Sequence, residues 1–324
     1  MTDSAPPLQF SVPEDRAGQR LDKALADLLP DFSRNQIQGW IRSGRITVDG
    51  GRWRPRDAVR GGEAVLARPE TVVDETLTAE PIPLDIVHED DHLLVVNKPA
   101  GLVVHPGAGN REGTLANALL HFDASLEALP RAGIVHRLDK LTSGLLMIAR
   151  SSLARRHLVE MLALRDIGRE YEAVVCGLPT AGGRVDAAIG RHPVDRKRMS
   201  VRPDGRPAAT EYRLLRRFRA HSHLSLRLES GRTHQIRVHM QHVGLPLLGD
   251  PVYGKRLGMP AGATPPLQDA LRGFRRQALH ARSLSLTHPV TGESLAFSAP
   301  PPQDMRQLLD VLARDADAGG QTPR

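Results

Sequence analysis

The sequence predicts an α+β protein, with a mixed, mainly antiparallel sheet domain carrying helices and loops and a small N-terminal α/β module before it. Three observations predict it. Between Pro83 and Pro300, strand-like runs and helical stretches mix without the regular strand-helix alternation of a doubly wound sheet. Ahead of them, two short amphipathic stretches and small strands would close a separate unit. Between the two, RPETVVDETLTAEPIP is acidic and bracketed by prolines, as a linker is. At 324 residues, 40% of them hydrophobic, the chain can bury two cores.

In chain order, residues 1–17 read as a flexible lead. RLDKALADLLP then places Leu21, Ala24, Leu25, Leu28 and Leu29 on one helical stripe that Pro30 stops. Ser33-Arg34-Asn35-Gln36 reads as a capping box for a second helix, with Ile37, Trp40 and Ile41 inward and Gly44 as its exit. RITVDGG alternates and ends in an Asp49-Gly50 turn, and EAVLAR is a further strand. These elements make a module over 18–70, followed by a linker over 71–82 and a main domain over 83–312. In the main domain LDIVHED, HLLVVNKP, GLVVHP, GIVHR, GLLMIAR, EYEAVVCG, HSHLSLRLES and SLSLTHP read as strands. TLANALLHF, ARRHLVEMLAL and THQIRVHMQHVG read as helices, with Thr233 as cap of the last. Polar residues 313–324 read as a disordered tail.

Composition narrows the function. Forty-four Lys and Arg oppose 37 Asp and Glu, a formal net charge of +7 that suits a polyanionic partner. The module concentrates this charge in Arg20, Arg34, Arg42, Arg45, Arg52, Arg54 and Arg56. A single cysteine, Cys176, excludes an internal disulfide and a multi-cysteine zinc site and fits a reducing cytoplasm. No 18-residue apolar run and no signal-peptide pattern occur, so no membrane role is expected. There is no phosphate-binding G-x-x-x-x-G-K-[ST] and no G-x-S-x-G elbow around Ser143. His234, His239 and His242 match no helical metal spacing, because residues five apart on a helix point away from each other.

The chemistry concentrates in GIVHRLDKLTSGLLMIAR. Four ionisable residues in five, His136 to Lys140, interrupt two apolar runs, which places Asp139 at the rim of a core between Arg137 and Lys140. A carboxylate between two cations has its charged form favoured and is available as base or nucleophile, although a turn with a local ion pair would look the same. Tyr171 in REYEAVV is an aromatic hydroxyl in a chain with 3% aromatic residues. GRTHQIRVH adds Arg232 and Arg237 beside a helix start.

HRLD followed by TSG, with NKPAGLVVHP upstream and REYEAV, GRTHQIRVH and GDPVYG downstream, closely resembles the pseudouridine synthases that modify large-subunit ribosomal RNA. The chain order matches over nearly the whole length, and the N-terminal module is similar to the S4-type RNA-binding domain that members carry there. Leu141 departs from the polar or acidic residue more usual after HRLDK.

The resemblance implies a catalytic domain around a central cleft that works without cofactor or metal. It implies that Asp139 acts on the sugar as nucleophile or base, that Arg237 pairs with it, and that Tyr171 stacks on the uracil and serves in loss of the C5 proton. Arg137 would enter the RNA where the target base leaves. His136, Lys140, Thr142 and Arg232 are further candidate substrate contacts, with Arg34 and Arg42 in the module. The implied partner is 23S rRNA or an assembling large subunit, met in the cytoplasm by a monomer. The rival readings are a sister synthase acting on other rRNA or tRNA uridines and a noncatalytic ribosome-assembly factor.

Overall fold

A computed structural model describes residues 7–29, 32, 34–68, 77–107, 110–195, 197–254 and 258–319. The chain divides into two compact units, 1–76 and 77–324.

In the first unit β1 (Leu8–Ser11), α1 (Leu21–Leu28), α2 (Arg34–Ser43), β2 (Ile46–Val48) and β3 (Ala64–Ala67) follow one another, and the sheet order is β1-β3-β2, all antiparallel. The segment expected to be a flexible lead is therefore structured from Leu8, because β3 offers a free edge that Leu8 to Ser11 fills. Leu21, Leu25, Ile37, Trp40, Ile41, Ile46, Val48 and Val65 form the core. Asp49 and Gly50 both take positive φ, 50° and 71°, the geometry an Asp-Gly turn supplies. Ser33 of the expected capping box, residues 71–76 of the expected linker and the last five residues lie outside the described residues.

Arg20 and Arg34 among the module arginines have a structural duty. Asp22 is fully buried beneath α2, and Arg20 (2.9 Å), Arg34 (2.6 Å) and Gln38 all donate to its carboxylate. Burial opposes its charge, but the hydrogen bonds from Arg34, Arg20 and Gln38 overcome this and hold the pKa down to about 2. The folded value lies below the roughly 3.9 of an unfolded chain, so this stabilisation is complete above about pH 4 and is lost as pH falls toward 2. Both tryptophans, Trp40 and Trp53, lie in this unit, so acid titration followed by tryptophan fluorescence reads it alone. The expected result is loss of the Trp40 signal between pH 4 and 2. Asp22→Asn should destabilise the unit at neutral pH and blunt that acid dependence.

The second unit begins with β4 (Ile86–Glu89), β5 (Leu93–Lys98), α3 (Leu115–Phe122), β6 (Ser143–Ala149), α4 (Ser152–Leu164) and β7 (Gly168–Cys176). It continues with β8 (Gly183–Asp186), β9 (Ile189–Arg191), β10 (Met199–Val201), β11 (Ala209–Arg217), β12 (His221–Leu228) and α5 (Gln235–His242). It closes with α6 (Pro265–Gly273), β13 (Leu279–Thr287), β14 (Ser294–Ser298) and α7 (Gln303–Gly319). Nine strands form one sheet in the order β4-β5-β6-β13-β7-β12-β11-β8, with β14 also on β13, while β9 and β10 form a separate hairpin. All pairings are antiparallel except β6 with β13. Strands β5 and β6 are buried on both faces. Leu94, Val96, Leu146 and Ile148 face the core that α3 and α5 cover, while Leu93, Val95, Leu145 and Met147 face the core beneath α4.

Two predicted strands are absent. Of GLVVHP, only Val103 makes an isolated bridge, to Thr114. GIVHR is also a loop: Arg131, Ala132 and Gly133, all with positive φ (58°, 51° and 76°), lead into it, and only Ile134 bridges the sheet, to Ile148. The expected tail is not disordered from 313. Helix α7 runs on to Gly319, because Leu308 and Leu312 are buried and Asp315 accepts from Thr264 N (2.8 Å) and Arg219 Nη1 (3.3 Å).

Candidate active site

The loop HRLDKLT enters β6 through a turn in which Thr142 N donates to Asp139 O (3.0 Å). A second loop, NKPAG at the end of β5, clamps it. Gly101 N donates to Lys140 O (2.8 Å), and the buried Lys98 ammonium donates to Lys140 O (3.2 Å), Pro99 O (2.7 Å) and Leu102 O (2.9 Å). Burial pushes the Lys98 pKa down to about 7; Asp139 opposes the fall and Arg276 adds to it. Gly144, just beyond the loop, has φ 116°, and a Cβ there would meet Ala281 O at 2.3 Å across the parallel pairing of β6 and β13. Gly144→Ala is expected to lower stability by about 2–5 kcal/mol, the sum of backbone strain and overpacking, measured by urea unfolding.

Asp139 is held by a side chain of α5. Arg237, in the first turn of α5, donates from Nη1 to Asp139 Oδ2 (2.9 Å) and from Nε and Nη2 to Asp250 Oδ2 (2.7 Å) and Oδ1 (2.9 Å). Asp250 Oδ1 also accepts from the backbone N–H groups of Val252 (2.8 Å) and Tyr253 (2.9 Å). Its side chain is fully buried, whereas that of Asp139 keeps 18% exposure and so can meet a substrate. Burial disfavours charge on both Arg237 and Asp250, but their mutual hydrogen bonds and attraction win: the Arg237 pKa is raised and that of Asp250 lowered. The result is a fixed cation whose fork grips a buried anion while its remaining N–H orients an accessible one.

The predicted residues separate on inspection. Arg137 and Lys140 are exposed beside Asp139, where a substrate backbone could reach them. His136 turns inward instead. Its Nε2 accepts from Met147 N (2.9 Å), taking the place of a neighbouring strand's carbonyl on the edge of β6, and burial with Arg169 pushes its pKa down to about 3. Thr142 is likewise buried, its hydroxyl accepting from Gln277 Nε2 (3.1 Å). Both side chains hold the loop. Arg232 is half-buried and donates to Pro207 O (3.2 Å). Arg34 serves Asp22, and Arg42 is exposed on α2.

Tyr171 is buried in β7, between Leu226 of β12 and Ala281 of β13. Burial raises its pKa, Arg169 opposes the rise and Asp139 adds to it, so the phenol stays neutral. The expected Thr233 cap is absent. His234 takes the cap position with φ 57°, and the side chain of Gln235 folds back to accept from Arg232 N (3.0 Å) and Ser230 Oγ (2.7 Å). His239 is buried with its ring nitrogens on Thr210 Oγ1 and Ala187 O. Among the described residues no group of three His, Cys, Asp or Glu side chains could hold a metal ion.

Chemically this is one accessible, ion-paired carboxylate beside a neutral tyrosine. Asp250, the second carboxylate nearby, is sealed by Arg237 and two backbone N–H groups, so it cannot activate water as the second carboxylate of a glycosidase does.

Residues 92–242, which contain Asp139, Tyr171 and Arg237, match the RNA pseudouridylate synthase family, and residues 19–65 match the S4 domain. The chain is 54% identical over 98% of its length to ribosomal large subunit pseudouridine synthase D of Xanthomonas campestris pv. campestris, covering 96% of that protein. The chain belongs to the RNA pseudouridine synthase family. Another such synthase D, from Pseudomonas aeruginosa, is 51% identical over 95% of this chain and 96% of its own length. Among solved structures, human RNA pseudouridylate synthase domain containing 4 aligns with a TM-score of 0.57 at 27% identity, covering 70% of this chain and 92% of its own.

Sequence reasoning passed over Lys98, Asp250 and Tyr253 in this pseudouridine synthase site. All three stand inside motifs it quoted, NKPAG and GDPVYG. The signal available was a charge inside an otherwise apolar or turn-forming motif, and only tertiary contact gives each a partner. Among the described residues no helix is long and apolar enough to cross a membrane.

Proposed function

We propose that this chain isomerises uridines of large-subunit ribosomal RNA to pseudouridine. The bond from C1′ to N1 breaks, the uracil turns, C1′ bonds to C5, and the C5 proton leaves as N1 gains one. The observation that carries this reading is Asp139, accessible and oriented by Arg237, with the nearby second carboxylate withdrawn from use. Base and sugar are rejoined, so no hydrolytic water is required.

In this reading Asp139 acts on the sugar, as nucleophile or as base. Tyr171 offers the flipped uracil a ring and a neutral hydroxyl, a hydrogen-bonding station for loss of the C5 proton. Arg137 fills the space the base vacates, offsetting an unstacking cost on the order of a few kcal/mol. Lys140 and the exposed module cations, Arg42 among them, hold phosphates. The relatives named for the large subunit support 23S rRNA, free or assembling, as substrate and the cytoplasm as the setting. A noncatalytic assembly role is not favoured, since it would not require the Asp139, Arg237 and Asp250 triad.

The experiment is tritium release from 5-tritiated uridine in 23S rRNA and in large subunits from a strain lacking the gene, followed by mapping of the modified positions. Release with clustered pseudouridines in 23S rRNA is expected. Release from tRNA alone would point to a sister specificity, and no release from any RNA would defeat the catalytic reading.

A further inference from the structure

Arg237 and His234, the two groups that face Asp139, both lean on one buried residue, Tyr253. The Arg237 guanidinium lies over its ring, 4.9 Å from the centroid. The His234 ring meets it edge-on at 5.5 Å and 76°, and His234 Nδ1 is 2.8 Å from the Tyr253 hydroxyl. Tyr253 is in turn held by the β9–β10 hairpin. Met199 N donates to its hydroxyl oxygen (2.8 Å), and the Arg198 guanidinium lies 5.3 Å from its ring centroid. The hairpin's tip carries exposed Lys197 and Val194, the latter 85% exposed, and a pocket of about 340 Å³ lined by His192, Arg198, Val238 and His242 lies where it faces α5.

Met199 N–H donates to the Tyr253 oxygen, which leaves the single phenolic hydrogen free to donate to His234 Nδ1 as acceptor. With Nδ1 accepting, the proton of the neutral imidazole sits on Nε2, which lies 3.9 Å from Asp139 Oδ1, the oxygen to which Arg237 does not donate. That is about 1 Å beyond a hydrogen bond, within reach of a small ring movement. Burial, Arg237 and Arg137 disfavour a second cation at this place, while Asp139 and Asp250 favour one. The left-handed backbone of His234 sets the direction of its Cα–Cβ bond.

We propose that His234 and Tyr253 are positioning residues for Asp139, and that the β9–β10 hairpin sets them: Tyr253 fixes the His234 tautomer that presents an N–H to Oδ1 while supporting the guanidinium that holds Oδ2. The proposal rests on the isomerase reading for its rate consequence, but the hydrogen-bond chain itself is testable without it. RNA engaging the hairpin would bear on the carboxylate through Met199, Tyr253 and His234 in turn.

Three variants test it. Tyr253→Phe keeps the ring beneath both guanidiniums and removes only the hydroxyl. His234→Asn tolerates the left-handed backbone but cannot reach Asp139, whereas His234→Gln places an N–H near the position of Nε2. On an rRNA substrate, Tyr253→Phe and His234→Asn are expected to lower kcat about 10- to 100-fold with KM within about twofold, and His234→Gln to recover most of the loss. Nitrogen-15 histidine spectra should show His234 as the Nε2–H tautomer in the wild type and as a mixture in Tyr253→Phe. Full kcat in the first two variants, equal loss in Asn and Gln, or an unchanged tautomer in Tyr253→Phe would each overturn the proposal. If the wild type released no tritium from any RNA, the isomerase reading would fail instead, and the tautomer spectra would still decide the hydrogen-bond chain.

Discussion

Asp139→Asn is expected to leave a folded protein that releases tritium from 5-tritiated rRNA at least about 1,000-fold more slowly than the wild type, a loss of about 4 kcal/mol of transition-state stabilisation. The amide keeps the size of the carboxylate and an oxygen that can accept from Arg237 Nη1, so the loop clamped by Lys98 and Gly101 should stay in place. What disappears is the charge that attacks carbon or takes a proton. Affinity for rRNA should remain within about twofold, because phosphate contacts carry most of it and Arg137, Lys140 and the module arginines are untouched. Tritium release and filter binding on the same preparation check both halves. A variant with near wild-type release would remove Asp139 from the chemistry.

Arg237→Met should have the largest effect on stability, a loss of about 3–5 kcal/mol, because it strands a buried carboxylate. Asp250 has no exposed surface on its side chain, and its two remaining N–H partners, from Val252 and Tyr253, both lie on the same oxygen, Oδ1. Adding Asp250→Leu removes the stranded charge and should recover most of that loss, short by about 1–2 kcal/mol for the two backbone donors left without an acceptor. Activity should not return in the double variant, since Asp139 Oδ2 still lacks its donor. Urea unfolding of the two single variants and the double one gives the coupling energy between the partners. Additive losses would mean that the pair does not act as a unit.

Much of the site was legible in the sequence as chemistry, and less of it as geometry. The HRLD block announced a carboxylate at the edge of a core, and the resemblance supplied Arg237 and Tyr171 as its companions. Several assignments went differently. His136 and Thr142 sit in the motif as plausibly as Arg137 and Lys140, but their side chains turn inward to Met147 and Gln277. Thr233 is a good cap by type, yet the Gln235 side chain takes up the Arg232 N–H and His234 occupies the cap position. GIVHR has strand composition, but it follows a left-handed run over Arg131–Gly133 and only Ile134 bridges the sheet. Strand β11 went unpredicted because it pairs near the sheet's edge and alternates charged residues with apolar ones that are only half-buried.

The sequence by itself determined the local matters: the stripe that makes α1, the alternation that buries both faces of β5 and β6, the Asp-Gly turn, and the motifs whose order marks the family. These are readable because they depend on spacings of two to four residues. The tertiary structure decided which charges meet. Arg237 reaches an aspartate 98 residues before it and another 13 after it, and Tyr253 supports the groups on both sides of Asp139. Contacts of about 3 Å between residues so far apart follow from how sheet and helix pack, and no local period encodes them.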